Sequence, residues 1–344
     1  MILGEKGGKF LVSSESGGQV SCERLLIATG SQPVIPPIDG LKESLESGFA
    51  VTNREILDLS APPARLAVVG GGVIGLEMAS YYRTAGSEVT IVEMLDHIAG
   101  NTDPDLSHIL QSSLEKAGVR FCLGQRVTAI RDKKVLAEGP EGPMEVDADM
   151  VLVCIGRRAA TEGFGLETLA PQMERGAVVT DEHLCTSVPK LYAAGDVNGR
   201  VMLAHVAARE AEAAVHHMLG VEDAMRYDRI PDVIYTHPEA ASVGLKEAEA
   251  REKGIEVDVV RLPLTYSGRY VAEEGLGGDL CKAVVGKADR KLLGVGLTGP
   301  YASEIIQGVC IALEQDMTVE DLRRVIFPHP TVSEIVREAM FALP

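Results

Sequence analysis

Residues 65–93 read RLAVVGGGVIGLEMASYYRTAGSEVTIVE. Leu66 to Val69 is a short apolar run, the pattern of a parallel strand buried on both faces. Gly70, Gly72 and Gly75 follow as G-x-G-x-x-G. Glycines at this spacing suit a tight turn, close backbone approach to a pyrophosphate, and close packing of helix on strand. The helix beginning near Val73 points its free N–H groups and positive dipole end at such a phosphate. Gly86 closes that helix, and Val89 to Val92 forms a second strand ending in Glu93, 18 residues past Gly75. A carboxylate there accepts hydrogen bonds from both ribose hydroxyls of NAD and repels the 2′-phosphate of NADP. Strand, turn, helix, second strand and terminal acid stand in register, which separates this stretch from a bare glycine pattern.

Gly294, Gly296 and Gly299 spell the same pattern, and they show the contrast. Pro300 follows at once, Lys282 to Leu293 reads as a hairpin turning at Ala288-Asp289-Arg290, and no acid-tipped strand comes after. This second pattern is a strand end rather than a phosphate cradle.

A chain of 344 residues holds two or three domains. Its 46% hydrophobic content and 36 glycines are ordinary for α/β proteins. The net charge of −17 makes nucleic acid and anionic membranes poor partners. No apolar run reaches the roughly 18 residues that span a bilayer. The six cysteines (22, 122, 154, 185, 281, 310) form no close pair, as expected of free thiols in a reducing, cytoplasmic setting rather than a disulfide framework or metal site.

In chain order, residues 1–32 read as a hairpin with strands over 10–13 and 20–28. Pro33, Pro36, Pro37 and Asp39-Gly40 make a stiff connection. A helix is expected from Asp103 to Ala117 with Pro104 in its first turn, then short strands over 119–122 and 125–130, a hairpin over 134–146, and an apolar strand from Met150 stopping at Gly156. Leu191 to Ala194 is a strand that delivers Gly195-Asp196 to its C-terminal edge, where α/β folds place ligands. His205 opens an alanine-rich helix, and from Tyr227 the pattern becomes α+β.

Taken together, these pieces resemble the class I pyridine nucleotide–disulfide oxidoreductases, most closely their dihydrolipoamide dehydrogenase branch. The residues that carry the resemblance are Ala28-Thr29-Gly30-Ser31, GGGVIGLE (70–77), IVE (91–93), CIGRR (154–158), TSVPKLYAAGDV (186–197), MLAH (202–205), VIYTHPEAASVG (233–244), GPYASEII (299–306) and HPTVSE (329–334). The resemblance implies Rossmann-like FAD- and NAD-binding domains, with a parallel sheet and a three-stranded antiparallel crossover, followed by an α+β dimerisation domain. It divides the chain into an FAD-domain part (1–45), an NAD domain (46–156), an FAD/central part (157–225) and a dimerisation domain (226–344). Thr29, Gly30, Ser31 and Asp196 would line the FAD site, with Met202, Leu203, Ala204 and His205 placing a helix N-terminus under the flavin. Gly70, Gly71, Gly72, Val73, Ile74, Gly75, Leu76, Glu77, Glu93, Val127 and Gly156 would contact NAD. His329 would be the catalytic base, serving the opposite subunit of a homodimer, with Glu334 orienting its ring. The implied reaction is oxidation of dihydrolipoamide on the lipoyl domain of a 2-oxo acid dehydrogenase or glycine cleavage complex.

Each role has a plainer alternative. Gly195-Asp196 can be a simple β-turn, His205 a surface residue at a helix start, and His237-Pro238-Glu239 a structural loop at the dimer interface. Thr331-x-x-Glu334 matches a capping box, so Glu334 can serve only its own helix and leave His329 a loop residue. Members of the family also open with an ADP-cradling G-x-G-x-x-G and a redox C-x-x-x-x-C, and this sequence contains neither. The expectation is therefore a chain shortened at its N-terminus, with FAD binding weakened or lost and no activity alone. The rival reading is a non-catalytic NAD-binding, dimerising module.

Overall fold

The computed structural model describes residues 1–343. The chain divides into two compact units, one formed by Met1–Val34 with Gly156–Tyr227 and the other by Ile35–Ile155 with the chain from Asp228 onward.

The second unit is built on the strand Arg65–Val69. It lies centrally in a five-stranded parallel sheet ordered Ala50–Val51, Met150–Val153, Arg65–Val69, Glu88–Val92, Arg120–Cys122. Side chains alternate across a strand. Leu66 and Val68 accordingly pack with Leu76, Ile91, Leu110 and Leu114 under the helices Val73–Thr84 and Pro104–Lys116. Ala67 and Val69 pack on the other face with Ile130, Val135 and Val146, from the antiparallel crossover Arg126–Arg131, Lys134–Gly139, Gly142–Asp147. A strand buried on both faces reads as a continuous apolar run, which is why it was legible. Asp103 caps the second helix by accepting the Asp105 N–H at 3.0 Å, with Pro104 at the start as expected.

The same unit continues into a five-stranded antiparallel sheet: Asp232–Ile234, Glu239–Gly244, Leu292–Gly299, Leu280–Gly286, Val257–Pro263. The helices Ala302–Glu314, Val319–Arg324 and Glu334–Ala342 contribute Ile306, Leu322 and Ile335 to a core shared with Leu262, Cys281 and Leu297 of the sheet. The second glycine pattern falls in the Leu292–Gly299 strand, as read. Its glycines serve packing: a Cβ on Gly294 would lie 2.3 Å from the Leu245 carbonyl oxygen, and one on Gly296 would lie 2.9 Å from Leu106.

In the first unit Leu25–Ile27 runs parallel to Leu191–Ala193, and Ser31–Pro33 pairs with Arg157–Ala159. Ile2, Phe10, Ile27, Leu166, Leu191 and Val197 form its core. The single strand expected over 20–28 is two strands in two sheets, Gln19–Cys22 and Leu25–Ile27, and Ile2–Lys6 adds a strand before the expected hairpin. Gly7 and Gly8, at φ 62° and 75°, make the turn that folds Ile2–Lys6 onto Lys9–Ser13. The interior strand Glu239–Gly244, second in its sheet, and the helix Gly268–Glu274 also escape the sequence pattern. EAASVG is dominated by alanine, serine and glycine and shows almost no β-branched signal. Among the described residues no helix is long and apolar enough to cross a membrane.

Two glycines on the α+β part test this packing in opposite directions. Gly294→Ala should lower stability by about 1–3 kcal/mol, since backbone must move to admit the methyl. Gly308 sits exposed within Ala302–Glu314 with nothing within 4 Å of a Cβ. Gly308→Ala should raise stability by about 0.5–1 kcal/mol through helix propensity. Urea midpoints of the two variants measure both, and a neutral Gly294→Ala would contradict the close approach.

Candidate functional site

The residues read as a dinucleotide cradle assemble at the C-terminal edge of the parallel sheet. Gly70 leaves the strand at φ 114°, and a Cβ there would meet the Cys154 carbonyl oxygen at 2.7 Å. Gly75 has less room still: its Cβ would lie 2.1 Å from the Gly70 carbonyl oxygen. These two close approaches seat the Val73–Thr84 helix against the strand. Gly72 is different, because nothing lies within 4 Å of a Cβ there. It is also the N-cap of that helix, with no side chain bonded to it. A glycine cradle facing open space, ahead of an uncapped helix N-terminus, fits a pyrophosphate.

Glu93 is drawn back against this turn. One carboxylate oxygen accepts the Gly71 N–H at 2.5 Å, and the other accepts the Leu95 N–H at 2.7 Å. Cys154 lies beneath the turn, its thiol donating to the Val69 carbonyl at 3.4 Å. Burial, reinforced by the Glu93 charge, pushes that thiol up to about 12, so it is a packing group and not a nucleophile. Among the other residues read as contacts, Leu76 is fully buried in the core and its N–H already bonds the Gly72 carbonyl. Glu77 lies further along the helix, and its carboxylate accepts the Tyr235 N–H at 2.9 Å. Burial raises its pKa, partly offset by that bond. Val127 lies half-buried on the crossover, two residues after Gln125, whose N–H donates to the Glu93 carbonyl. Gly156 takes φ 129° and begins the second segment of the other unit.

In that unit the parallel strands Leu25–Ile27 and Leu191–Ala193 lead into the two loops singled out as a flavin site. Their ends meet. The Ser31 hydroxyl donates to the Asp196 carboxylate. Arg157 donates from Nε to the Ser31 hydroxyl at 2.7 Å and from Nη2 to the Ser31 carbonyl at 3.0 Å. Thr29 donates to the Ala160 carbonyl at 2.7 Å. Gly195 takes φ 78°, ψ −161°, a region essentially reserved for glycine, and its carbonyl accepts the Asn198 N–H at 3.0 Å, so a turn does begin there. Behind it, fully buried Glu210 accepts the Gly195 N–H at 2.6 Å, the Asn198 amide at 2.8 Å and the Tyr227 hydroxyl at 2.7 Å. Met202 and Leu203 lead into the Ala204–Met218 helix, which begins with no side-chain cap, and His205 is exposed in its first turn. A charged-acceptor loop beside a bare helix N-terminus suits a polyhydroxyl, electron-rich group such as a flavin.

Sequence reasoning missed Arg157 and Glu210 as contributors. Arg157 was visible only as part of CIGRR. Glu210 was hidden in an alanine-rich helix, where a carboxylate reads as a solvated face.

The third element is local. His329 Nδ1 lies 3.0 Å and 3.1 Å from the two carboxylate oxygens of Glu334. The same carboxylate accepts the Thr331 N–H at 2.9 Å. The capping box read at Thr331-x-x-Glu334 is only half formed: Glu334 accepts the Thr331 N–H, but the Thr331 hydroxyl donates to the Pro328 carbonyl and the helix N-cap is Ser333, so the carboxylate is also free to face the histidine ring. The Thr331 N–H, and after it His329, hold the Glu334 carboxyl below its usual range. A carboxylate only accepts, so Nδ1 carries the proton facing it and Nε2 is left as the proton acceptor. The His329 side chain is 78% exposed, open to a thiol or alcohol brought against it.

Comparison with known proteins gives the chain its family. The family described as pyridine nucleotide-disulphide oxidoreductase matches residues 3–211, and its dimerisation domain matches residues 230–340. The chain is 34% identical over 329 residues to the dihydrolipoyl dehydrogenase of Chlamydia muridarum, covering 95% of this chain and 70% of that protein. It is 36% identical over 332 residues to the mitochondrial dihydrolipoyl dehydrogenase of Canis lupus familiaris, covering 94% and 64%. Among solved structures, LpdA of Mycobacterium tuberculosis superposes with a TM-score of 0.87 at 28% identity, over 99% of this chain and 75% of that one. The HOCl-induced flavoprotein disulfide reductase RclA of Escherichia coli gives 0.86 at 28%, over 97% and 76%. The chain therefore spans 64 to 76% of the length of these proteins.

The cradle is tested by titrating the protein with NADH and NADPH and following nicotinamide fluorescence. The unmutated chain should prefer NADH. Gly75→Ala should abolish binding, and Glu93→Ala should weaken NADH by about 1–3 kcal/mol and narrow the preference. Equal affinity of the unmutated chain for the two nucleotides would refute the role of Glu93.

Proposed function

The chain belongs to the pyridine nucleotide-disulphide oxidoreductases, and we propose that it is a subunit of a flavin-dependent dihydrolipoamide dehydrogenase that uses NAD as hydride acceptor. The observation that carries this reading is the pairing, in one chain, of a glycine cradle backed by Glu93 with an exposed histidine held by Glu334 at 3.0 Å. The substrate is dihydrolipoamide on the lipoyl domain of a 2-oxo acid dehydrogenase or glycine cleavage complex. The working form is a homodimer made through the 230–340 region. The free cysteines support a reducing, cytoplasmic setting.

In this mechanism His329 Nε2 takes the proton from a substrate thiol, because the thiolate is the nucleophile in disulfide exchange. Glu334 holds the ring through Nδ1 and stabilises the imidazolium that results. Gly72, Val73 and Ile74 present backbone N–H groups at the helix end to the NAD pyrophosphate, while Gly70, Gly71 and Gly75 shape the turn that brings them there, the Gly70 and Gly71 N–H groups being bonded to the Val92 carbonyl and to Glu93. Glu93 receives the ribose hydroxyls, and Val127 flanks the nucleotide. FAD, when bound, supplies two-electron transfer between dithiol and nicotinamide. Thr29, Gly30, Ser31, Asp196 and the helix start at Met202, Leu203, Ala204 and His205 would hold it, with Arg157 fixing Ser31 and Asp196 from behind.

The 344 residues contain no C-x-x-x-x-C, and all six cysteines are free. Burial pushes both Cys154 and Cys281 up to about 12. These residues alone are therefore expected to bind FAD weakly and to show no dihydrolipoamide:NAD activity. A non-catalytic NAD-binding, dimerising module is the second reading, favoured by the same missing pair.

The two readings separate in a mixed dimer. A full-length relative with its base histidine disabled is combined with this chain, and dihydrolipoamide-dependent NAD reduction is measured. Loss of a general base commonly costs about 10²–10⁴ in rate, so rescue by His329 in trans is easily seen. His329→Gln in this chain should not rescue. Mixed dimers that form with no gain in activity would sink the dehydrogenase reading and leave the binding module.

A further inference from the structure

The Gly71–Gly72 peptide sits in the cradle, yet what holds it reaches into the dimerisation part of the chain. The Gly71 N–H is taken by Glu93 at 2.5 Å, and the Gly71 carbonyl accepts the Ala99 N–H at 2.8 Å. A trans peptide is planar, with C=O and the next N–H pointing opposite ways. Engaging the Gly71 carbonyl on Ala99 therefore turns the Gly72 N–H away from it, the orientation a phosphate oxygen needs. Ala99 is the contact point of a strap formed by residues 94–103. It is buried and holds φ 61°, a left-handed conformation that a non-glycine residue keeps only when its surroundings enforce it.

Both enforcing contacts at the far end of the strap are lysines of the antiparallel sheet region. Lys246 Nζ donates to the Asn101 carbonyl. Lys282 Nζ donates to Asp103 at 3.0 Å and 2.8 Å, and to Asp105 at 2.7 Å. Lys282 lies opposite Gly296 on one side of its strand and Arg261 on the other. The bare Gly296 admits Leu106, bringing the start of the Pro104–Lys116 helix down onto the ammonium group. Arg261 bonds Asp105 at 2.8 Å and Glu247 at 2.5 Å, and Glu247 lies 3.3 Å from Lys282 Nζ and also bonds Arg251. Three carboxylates thus face three cations, and the Lys282 and Asp103 side chains are only 6% and 8% exposed.

A buried ion pair is weak evidence for stability, since an apolar contact of the same shape often does as well. Its bonds are directional, and here they fix one end of a ten-residue strap whose middle holds a cradle peptide. We propose that Lys282, with Lys246 as its more exposed counterpart, is a positioning residue for the dinucleotide site: it acts through Asp103 and the 94–103 strap to hold the Gly71–Gly72 peptide in its pyrophosphate-binding orientation. This role rests on the reading of the cradle as an NAD site. It makes NAD affinity depend on residues of the dimerisation region that never touch the nucleotide.

The test uses the whole chain and NADH as probe. Lys282→Met keeps length and removes the charge. Lys246→Met removes the second anchor without leaving a buried carboxylate unpaired, so it decides the matter if Lys282→Met does not fold. Leu297→Ala, in the core on the opposite face of the same sheet, is the control for general destabilisation. NADH affinity by fluorescence, urea midpoint and hydrogen–deuterium exchange of peptides spanning 94–103 are measured on each. Lys246→Met and Lys282→Met should weaken NADH by about 3-fold and about 10- to 30-fold and raise exchange in the strap. Leu297→Ala should lower the urea midpoint with affinity unchanged. Folded lysine variants that bind NADH within twofold of the unmutated chain overturn the proposal. So does a Leu297→Ala variant that loses affinity equally. A chain that fails to bind NADH before any substitution overturns the cradle reading itself, and this role with it.

Discussion

The second unit is organised around a contact that permits no side chain. At Gly75 a methyl would sit 2.1 Å from the Gly70 carbonyl oxygen and 3.0 Å from the Cys154 sulfur. No rotamer relieves that, because the first obstacle is backbone. The helix therefore lies as close to the central strand as a helix can, and its N-terminus is brought to the end of the sheet instead of over its face. The opening beside Gly72, the return of Glu93 onto the Gly71 N–H, and the route of the 94–103 strap all depend on that placement. A larger residue would push the helix outward by about an ångström, and displacements of that size at a binding site commonly cost about 10²-fold in function.

The same chemistry recurs on the other unit with different residues. A carboxylate is placed behind a glycine turn and accepts its N–H: Glu93 behind Gly71, and Glu210 behind Gly195. A turn made of glycines gains freedom from strain but loses rigidity, since glycine has the most conformational entropy to surrender. A charged acceptor restores that rigidity from below while leaving the outer face of the loop bare. Glu210 goes furthest, with all three of its donors inside the protein and no exposure to water. Such a carboxylate reads as structural by its burial, yet its partners are the loop residues that would face a cofactor.

Legibility in the sequence followed signal strength. The parallel strand Arg65–Val69 is apolar on both faces, so its pattern needed no tertiary context. The Pro104–Lys116 helix announced itself by Asp103 and Pro104. The Glu239–Gly244 strand did not, because its buried positions are alanines and a valine, and because Gly244 at φ 79° lies against the Leu293 carbonyl oxygen, a packing demand that no local pattern encodes. The glycine turn, Glu93, and the His329–Glu334 pair were all named from sequence. Arg157, Glu210, Lys246 and Lys282 were not, since Ser31, Gly195, Asn101 and Asp103, the residues they hold, lie 126, 15, 145 and 179 positions away along the chain. Charged residues with distant partners look like solvated surface until the fold brings them inside.

That difference in range also bears on chemistry. His329 and Glu334 are five positions apart, and Thr331 between them shares the same carboxylate. The pair is therefore set by one short loop and the start of the Glu334–Ala342 helix. A proton acceptor needs little more: one ring nitrogen fixed by a carboxylate and the other facing out. Dithiol exchange needs much more, namely two sulfurs able to bond each other and at least one ready thiolate. Cys281 is wholly buried in the sheet core and Cys154 is locked under the glycine turn, both pushed up to about 12. Under the proposed reading, acid–base function and sulfur function are thus physically separable in this chain. The first is assembled by six consecutive residues, and the second has no pair of cysteines here to assemble it.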